Sequence, residues 1–319
     1  MSSEGSDLLK GNKVLITGGA GFIGSNLCQE LAERGKHVII LDDLSTGKKE
    51  NIEELIGNKV EFVQGSVTDL PLLNKLFQNI DCVFHQAAIP SVPRSLENPL
   101  ASNHANITGT LNVLLAAKDK KVKKVVYASS CAVYGETKVV PVTEDIPPNP
   151  QSPYAVTKLA GEYYCRVFEQ VYGLPTVCLR YFNVYGLRQD PSSQYAAVIP
   201  KFISSLLEDE PPVIFGDGDQ TRDFIFVDDA VAANILAAES NITGIFNIGT
   251  GQKVTINELA QVISNIMGKD IVPIHREPRP GDVKHSLAGI SRARAFGYNA
   301  RYSLEEGLRE TIKAVKSNP

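Results

Sequence analysis

Three glycines at three-residue intervals, Gly18, Gly21 and Gly24, stand where an apolar run ends and an amphipathic run begins. Val14–Thr17 reads as a strand and residues 22–34 as a helix, so the glycines make the turn between them. The spacing is GxxGxxG rather than GxGxxG, and alone it could mark an ordinary strand-to-helix turn. Its place at the head of a strand–helix–strand unit says more. Bare backbone lets an anion approach the first N–H groups of the helix, and the helix dipole favours its negative charge. The expected ligand is the pyrophosphate of a dinucleotide.

The run continues in the same rhythm. Strands are expected at His37–Leu41, Val60–Gln64, Cys82–His85, Val125–Ala128 and Thr176–Arg180. Helices are expected near 71–78, over 100–119 and from Pro153 to about Tyr172. Such alternation implies an α/β chain whose doubly wound parallel sheet is covered by helices on both faces. Beyond about residue 183 the strands shorten and Pro and Gly cluster, which indicates a smaller mixed α/β C-terminal domain. Residues 222–239 read as a strand and helix returning to the main sheet. The expected division is therefore 1–183 with about 222–243 for the dinucleotide, and about 184–221 with 244–319 for the substrate.

The second strand runs into Asp42. An acid about 20 residues past a glycine turn is placed to bind the adenosine ribose and to repel a 2′-phosphate. No Arg follows it directly, so NAD is favoured; Lys48 and Lys49 in the next loop leave NADP open.

Tyr154 and Lys158 stand at i and i+4, on one face of any helix that holds them. Tyr134 and Lys138 match the same pattern, but a glycine and then a proline follow, which reads as a loop. Tyr154 follows Pro153 at a helix start and leads an amphipathic run. A free phenol, with a pKa near ~10, is a poor base at neutral pH. A nearby ammonium and a nicotinium ring would both stabilise the phenolate and draw the pKa toward neutrality. Ser129 and Ser130, after the fifth strand, are candidates to polarise a developing carbonyl. Cys131 beside them has no partner that would make it a nucleophile.

Bulk properties bear mainly on what is excluded. The 319 residues carry a formal net charge of −4, which offers no basic face to nucleic acid or anionic membrane. No apolar stretch is long enough to span a bilayer. The five cysteines form no CxxC pair, and the histidines show no metal-ligand spacing, so a reduced, cytoplasmic protein without a metal site is expected.

Taken together, GGAGFIG (18–24), LDDLSTG (41–47), HQAA (85–88), NITGTLN (106–112), SSCAVYG (129–135), YAVTK (154–158), LRYFNVYG (179–186), RDF (222–224) and RPGDV (279–283) resemble the extended short-chain dehydrogenase/reductase family. Within it, the chain is similar to the UDP-hexose 4-epimerases over essentially its whole length beyond the N-terminal tail. The resemblance implies a Rossmann-like fold, bound NAD, a UDP-sugar substrate and a homodimer paired through the helices near 100–119 and 154–172. It implies that Tyr154 is the base, that Lys158 binds the nicotinamide ribose, and that Ser130 bonds the sugar 4-oxygen. Cofactor contacts are implied for Gly18, Gly21, Phe22, Ile23, Gly24, Asp42, Asp43, Ser45, Gly47, Ser66, Val67, Gln86, Ala87, Ala88, Asn106 and Tyr181. Where the family usually carries an Asp for the adenine amino group, this chain has Ser66. Substrate contacts are implied for Asn183, Ala197, Val198, Phe215 (against uracil), Arg222 and Arg279 (on the diphosphate), Asp282 (on the uridine ribose) and Ser286.

The resemblance also separates the family's reactions. The 4,6-dehydratases resemble one another in an Asp-Glu pair after the serine, and UDP-glucuronate decarboxylases in a Glu. Cys131 and Ala132 cannot move that proton. UDP-glucuronate 4-epimerases tend to carry Thr where Asn183 stands. Ser286 is small where members confined to glucose and galactose carry a bulky Tyr, and Ala197 is small where they often carry Asn. The expected reaction is C4 epimerisation through a 4-keto sugar, on UDP-GlcNAc/UDP-GalNAc as well as UDP-Glc/UDP-Gal. The alternatives are an epimerase limited to UDP-Glc/UDP-Gal or acting on UDP-glucuronate, Ser286 being then a mere helix-start serine. A non-catalytic NAD-binding regulator is the remaining one, though it would be expected to have lost the Tyr or Lys.

Overall fold

The computed structural model describes residues 13–190, 197–278 and 283–317. Five-residue β1 (Lys13–Thr17) leads into α1 (Phe22–Glu33) and β2 (His37–Asp42). Then come β3 (Val60–Gln64), α2 (Leu70–Leu76), β4 (Cys82–His85), α3 (Val92–Glu97) and α4 (Pro99–Asn103). Next are α5 (Gly109–Asp119), β5 (Lys124–Ser130), α6 (Pro153–Tyr172) and β6 (Thr176–Tyr181). After these lie α7 (Val198–Leu207) and α8 (Val227–Glu239). A seven-stranded sheet runs in the order Gly244–Ile248, β6, β5, β4, β1, β2, β3. Every neighbouring pair is parallel. Because both faces are covered, the central strands are apolar on both sides. Val14, Ile16, Val126 and Val177 pack with Leu27, Leu31 and Ala233 on one face. Leu15, Val83 and Val125 pack with Val113, Leu114 and Phe168 on the other.

Two expectations change. The strand Phe224–Phe226 does not join the main sheet but pairs in parallel with Asn183–Tyr185. The seventh main strand is Gly244–Ile248, beside β6, in a segment expected to belong to the smaller domain. The helix expected over 100–119 is also not uniform: α4 and α5 are joined by a π-helical turn, His104–Thr108. Such turns re-aim side chains, often at functional sites. Here the Asn106 carboxamide accepts from Ile89 N at 2.8 Å and donates to Thr157 Oγ1 at 2.9 Å, tying the turn to α6 and to the loop after β4.

Capping explains the start of α6. Pro153 occupies the first turn, and the Ser152 hydroxyl accepts from Ala155 N at 3.2 Å. Ser95 Oγ of α3 accepts from Tyr154 N at 3.1 Å, so the helix start is also held from the side.

Candidate active site

The carboxyl ends of the parallel strands open on a cleft of about 620 Å³. Of the residues expected to touch the cofactor, all but Gly47 and Asn106 line it. Two of the three glycines answer to the chain's own packing rather than to a ligand. Gly18 has φ +71°, and a Cβ there would fall 2.6 Å from Ala87 N. A Cβ on Gly24 would collide with the Gly18 carbonyl oxygen. Gly21 caps α1 with no side-chain bond, and no acid stands in the first turn. The first helical N–H groups, beside Phe22 and Ile23, therefore have no intrahelical partner and suit an anion.

Asp42 ends β2 nearly buried. Its carboxylate accepts from Ala20 N and Leu44 N, both at 2.9 Å, and Gly47 packs directly beneath it. Burial raises its pKa and the two N–H bonds oppose the rise. Ionised, it keeps lone pairs for ribose hydroxyls. At the end of β3, Ser66 Oγ accepts from Thr68 Oγ1 at 3.0 Å.

The catalytic candidates meet where β5 faces α6. The Ser130 hydroxyl accepts from Ala132 N at 3.2 Å and stands close enough to the Tyr154 phenol to lower its pKa. Burial outweighs this and pushes that phenol up to about 12. The expected pull toward neutrality is therefore not supplied by the chain alone. Lys158 Nζ donates to Ala128 O at 2.7 Å and stands 5.9 Å from the Tyr154 ring centroid. Burial brings its pKa down to about 8, with Glu162 raising it. Ser129, the other serine candidate, turns away: its Oγ donates to Glu162 Oε1 at 2.5 Å. Tyr134 closes a 3-10 turn, and its hydroxyl donates to Asn247 Oδ1 at 2.7 Å, which leaves it structural. Burial raises the Cys131 thiol to about 11, so it is no nucleophile at neutral pH.

On the substrate side, Ala197 lines the cleft and Val198 opens α7. Asn183 Nδ2 donates to Asp223 O at 3.1 Å. Arg222 Nη1 donates to Thr221 O at 2.9 Å, and the same carbonyl accepts from Ser286 N at 3.0 Å, so Asn183, Arg222 and Ser286 belong to one cluster of segments. Ser286 lies between two isolated bridges, at His285 and Ala288, not at a helix start. Phe215 ends the strand Val213–Phe215, and Gln220 Nε2 donates to its carbonyl at 2.8 Å. Arg279 and Asp282 lie outside the described residues.

Several residues at the site went unread in the sequence. Glu162 and Arg180 form a buried pair under Ser129. Asn234 joins Gln86 and Tyr181 in a hydrogen-bonded triad below the cleft. Arg188, at φ +64°, lines the cleft and donates to Gln29 Oε1 at 2.6 Å. A charge inside an otherwise apolar strand, as Arg180 is in TVCLRY, was an available signal, since it must be paired.

Such a sheet, with a glycine turn, an acid at the end of β2 and a Ser–Tyr–Lys group between β5 and α6, defines the class of dinucleotide-dependent redox enzymes of the short-chain type. Within it, the model of the NAD dependent epimerase/dehydratase family matches residues 14–249, and the chain belongs to that family. It is similar in structure to a UDP-N-acetylglucosamine 4-epimerase of Methanobrevibacter ruminantium M1, solved with UDP-N-acetylmuramic acid. The TM-score is 0.94 and the identity 44%, over 97% of this chain and 99% of that one. A UDP-glucose 4-epimerase of Thermotoga maritima with UDP-glucose matches at TM-score 0.92 and 40% identity, over 96% and 99%. A UDP-glucuronic acid 4-epimerase of Bacillus cereus with UDP-glucuronic acid and NAD matches at TM-score 0.89 and 37% identity, over 96% and 99%.

Among the described residues no group of His, Cys, Asp and Glu could hold a metal ion, no helix is long and apolar enough to cross a membrane, and all five cysteines are free.

Proposed function

We propose that this chain is an NAD-dependent UDP-sugar 4-epimerase acting on the UDP-GlcNAc/UDP-GalNAc pair and also on UDP-Glc/UDP-Gal. The observation that carries the reaction is the Tyr154 phenol lining the cleft, with Ser130 beside it and Lys158 Nζ 5.9 Å from its ring centroid. NAD fits the cleft: the uncapped start of α1 would hold its pyrophosphate, Asp42 its adenosine ribose and Lys158 its nicotinamide ribose. Bound there, it would supply the acceptor and donor for the hydride at the sugar C4. Tyr154 takes the proton of the 4-hydroxyl and returns it, while Ser130 bonds the same oxygen. Asn183, Arg222, Arg279, Asp282 and Phe215 would grip the nucleotide diphosphate as the sugar turns. An arginine fork matches phosphate oxygens in geometry and charge.

The small side chains of Ala197 and Ser286 support the acetylated pair, as does the 44% identity to the N-acetylglucosamine enzyme. Incubation with the acetylated, the neutral and the uronate UDP-sugar pairs, read by chromatography, tests this. Turnover of the first two pairs is expected, and no turnover of UDP-GlcNAc would overturn the preference. Ser286→Tyr should cut activity on the acetylated pair by about 10–100-fold, the cost of overfilling a packed site, and spare UDP-Glc.

A homodimer and a cytoplasmic location are part of the same reading. α6 presents Tyr163, Val167 and Val171 outward at four-residue spacing, and on adjoining α4 Leu100 is 81% exposed. An apolar stripe of this kind suits a second copy. Val167→Glu is expected to convert the dimer to monomer in sedimentation; an unchanged mass would place the interface elsewhere.

A further inference from the structure

Thr221–Arg222 pairs antiparallel with Val254–Thr255, and Phe224–Phe226 pairs parallel with Asn183–Tyr185. The single residue between these two short ladders is Asp223, whose side chain is completely buried. Its carboxylate is saturated by donors from two other segments. Oδ1 accepts from Thr250 N at 2.8 Å and Thr250 Oγ1 at 2.6 Å. Oδ2 accepts from Gly251 N at 2.9 Å and Ala288 N at 3.1 Å. Its backbone carbonyl accepts from both Asn183 N and Asn183 Nδ2 at 3.1 Å. Gly249 makes room for the arrangement: a Cβ there would fall 2.7 Å from Ala288 Cβ and 2.9 Å from Asp223 Oδ2.

We infer that Asp223 is a positioning residue for the nucleotide-sugar site, fixing Asn183, Arg222 and Ser286 relative to one another without touching substrate. This rests on the reading of those three as substrate contacts. Arg222 is its chain neighbour, Asn183 hangs on its carbonyl, and the segment carrying Ser286 is pinned two residues on, at Ala288. All four partners of the carboxylate are donors, so it serves as an anion. Each such bond is stronger than a neutral one and cannot be replaced by an amide without turning an N–H toward another N–H. The cofactor half of the cleft, around Gly18–Gly24 and Asp42, shares none of these contacts.

The test is UDP and NAD binding by calorimetry, with steady-state kinetics on the full chain. Asp223→Asn is expected to weaken UDP about tenfold or more and to raise KM for the UDP-sugar in step, with kcat and NAD affinity held. Thr250→Val, which removes one donor and keeps the backbone bonds, should give a smaller loss of the same kind, and Thr250→Ser should restore it. A general structural role would instead lower UDP and NAD affinity together. That result overturns the inference, as does unaltered UDP binding in both Asp223→Asn and Thr250→Val. If Asp223→Asn does not fold, the Thr250 pair decides. Wild-type protein that fails to bind UDP sinks the nucleotide-sugar reading itself, and this inference with it.

Discussion

Tyr154→Phe yields a protein that still folds and binds NAD and UDP but epimerises about 10²–10⁴-fold more slowly, the usual loss when a positioned acid–base group is removed. The substitution takes away one oxygen and keeps the ring. Tyr154 N still meets Ser95 Oγ, and the helix cap at Ser152 is untouched. What disappears is the phenolic oxygen beside Ser130. Burial holds this phenol at about 12 in the chain by itself, so Lys158, whose Nζ is bound to Ala128 O, does not make it a base by direct contact. Oxidised NAD, bound in the cleft, would add a further positive charge beside this phenol and so couple the readiness of the base to the presence of the hydride acceptor. Turnover is measured at saturating UDP-sugar, with cofactor content read spectroscopically. Full turnover in a loaded Tyr154→Phe enzyme would place the base elsewhere.

What could be read in advance was local or periodic. β1, β2 and β4 follow from short apolar runs, because a strand covered on both faces must be apolar throughout. Tyr154 and Lys158 were legible because a Pro start and a four-residue interval are both written in one segment. The return to the sheet was misread because Phe224–Phe226 is as apolar as a core strand, and only tertiary pairing with Asn183–Tyr185 distinguishes it. The π-helical turn at 104–108 escaped because Asn106 departs from regular helix to satisfy Ile89 and Thr157, both distant in sequence. The glycines were legible as a turn, yet their reason was half hidden. Gly18 must clear Ala87, a residue brought there by the pairing of β4 with β1. Asn234 and Asp223 were invisible for the same cause, since each is defined by partners that only the fold assembles.

Beneath the cleft, the second large effect concerns Arg180. Its Nε and Nη2 donate to Glu162 Oε1 and Oε2 at 2.8 and 2.6 Å, and both side chains are almost wholly buried. The guanidinium also lies 4.6 Å from the Tyr134 ring centroid. Arg180→Met removes the cation and leaves the Glu162 carboxylate with Ser129 as its remaining hydrogen-bond donor. A buried carboxylate stripped of its bonded arginine, with Lys158 compensating only at longer range, is expected to cost about 3–5 kcal/mol in urea unfolding. Replacing both partners by Glu162→Leu with Arg180→Met removes the stranded charge as well, and should recover most of that loss, because apolar substitutes for a buried pair are often neutral or better. The two effects separate stability from chemistry. Ser129 flanks Ser130 on β5, and its hydroxyl is oriented by Glu162, so the double variant should regain its unfolding free energy while its turnover stays depressed. Equal recovery of both would mean that the pair serves only to hold the fold. An Arg180→Met protein as stable as wild type would mean that the carboxylate finds another partner or a proton once the arginine is gone.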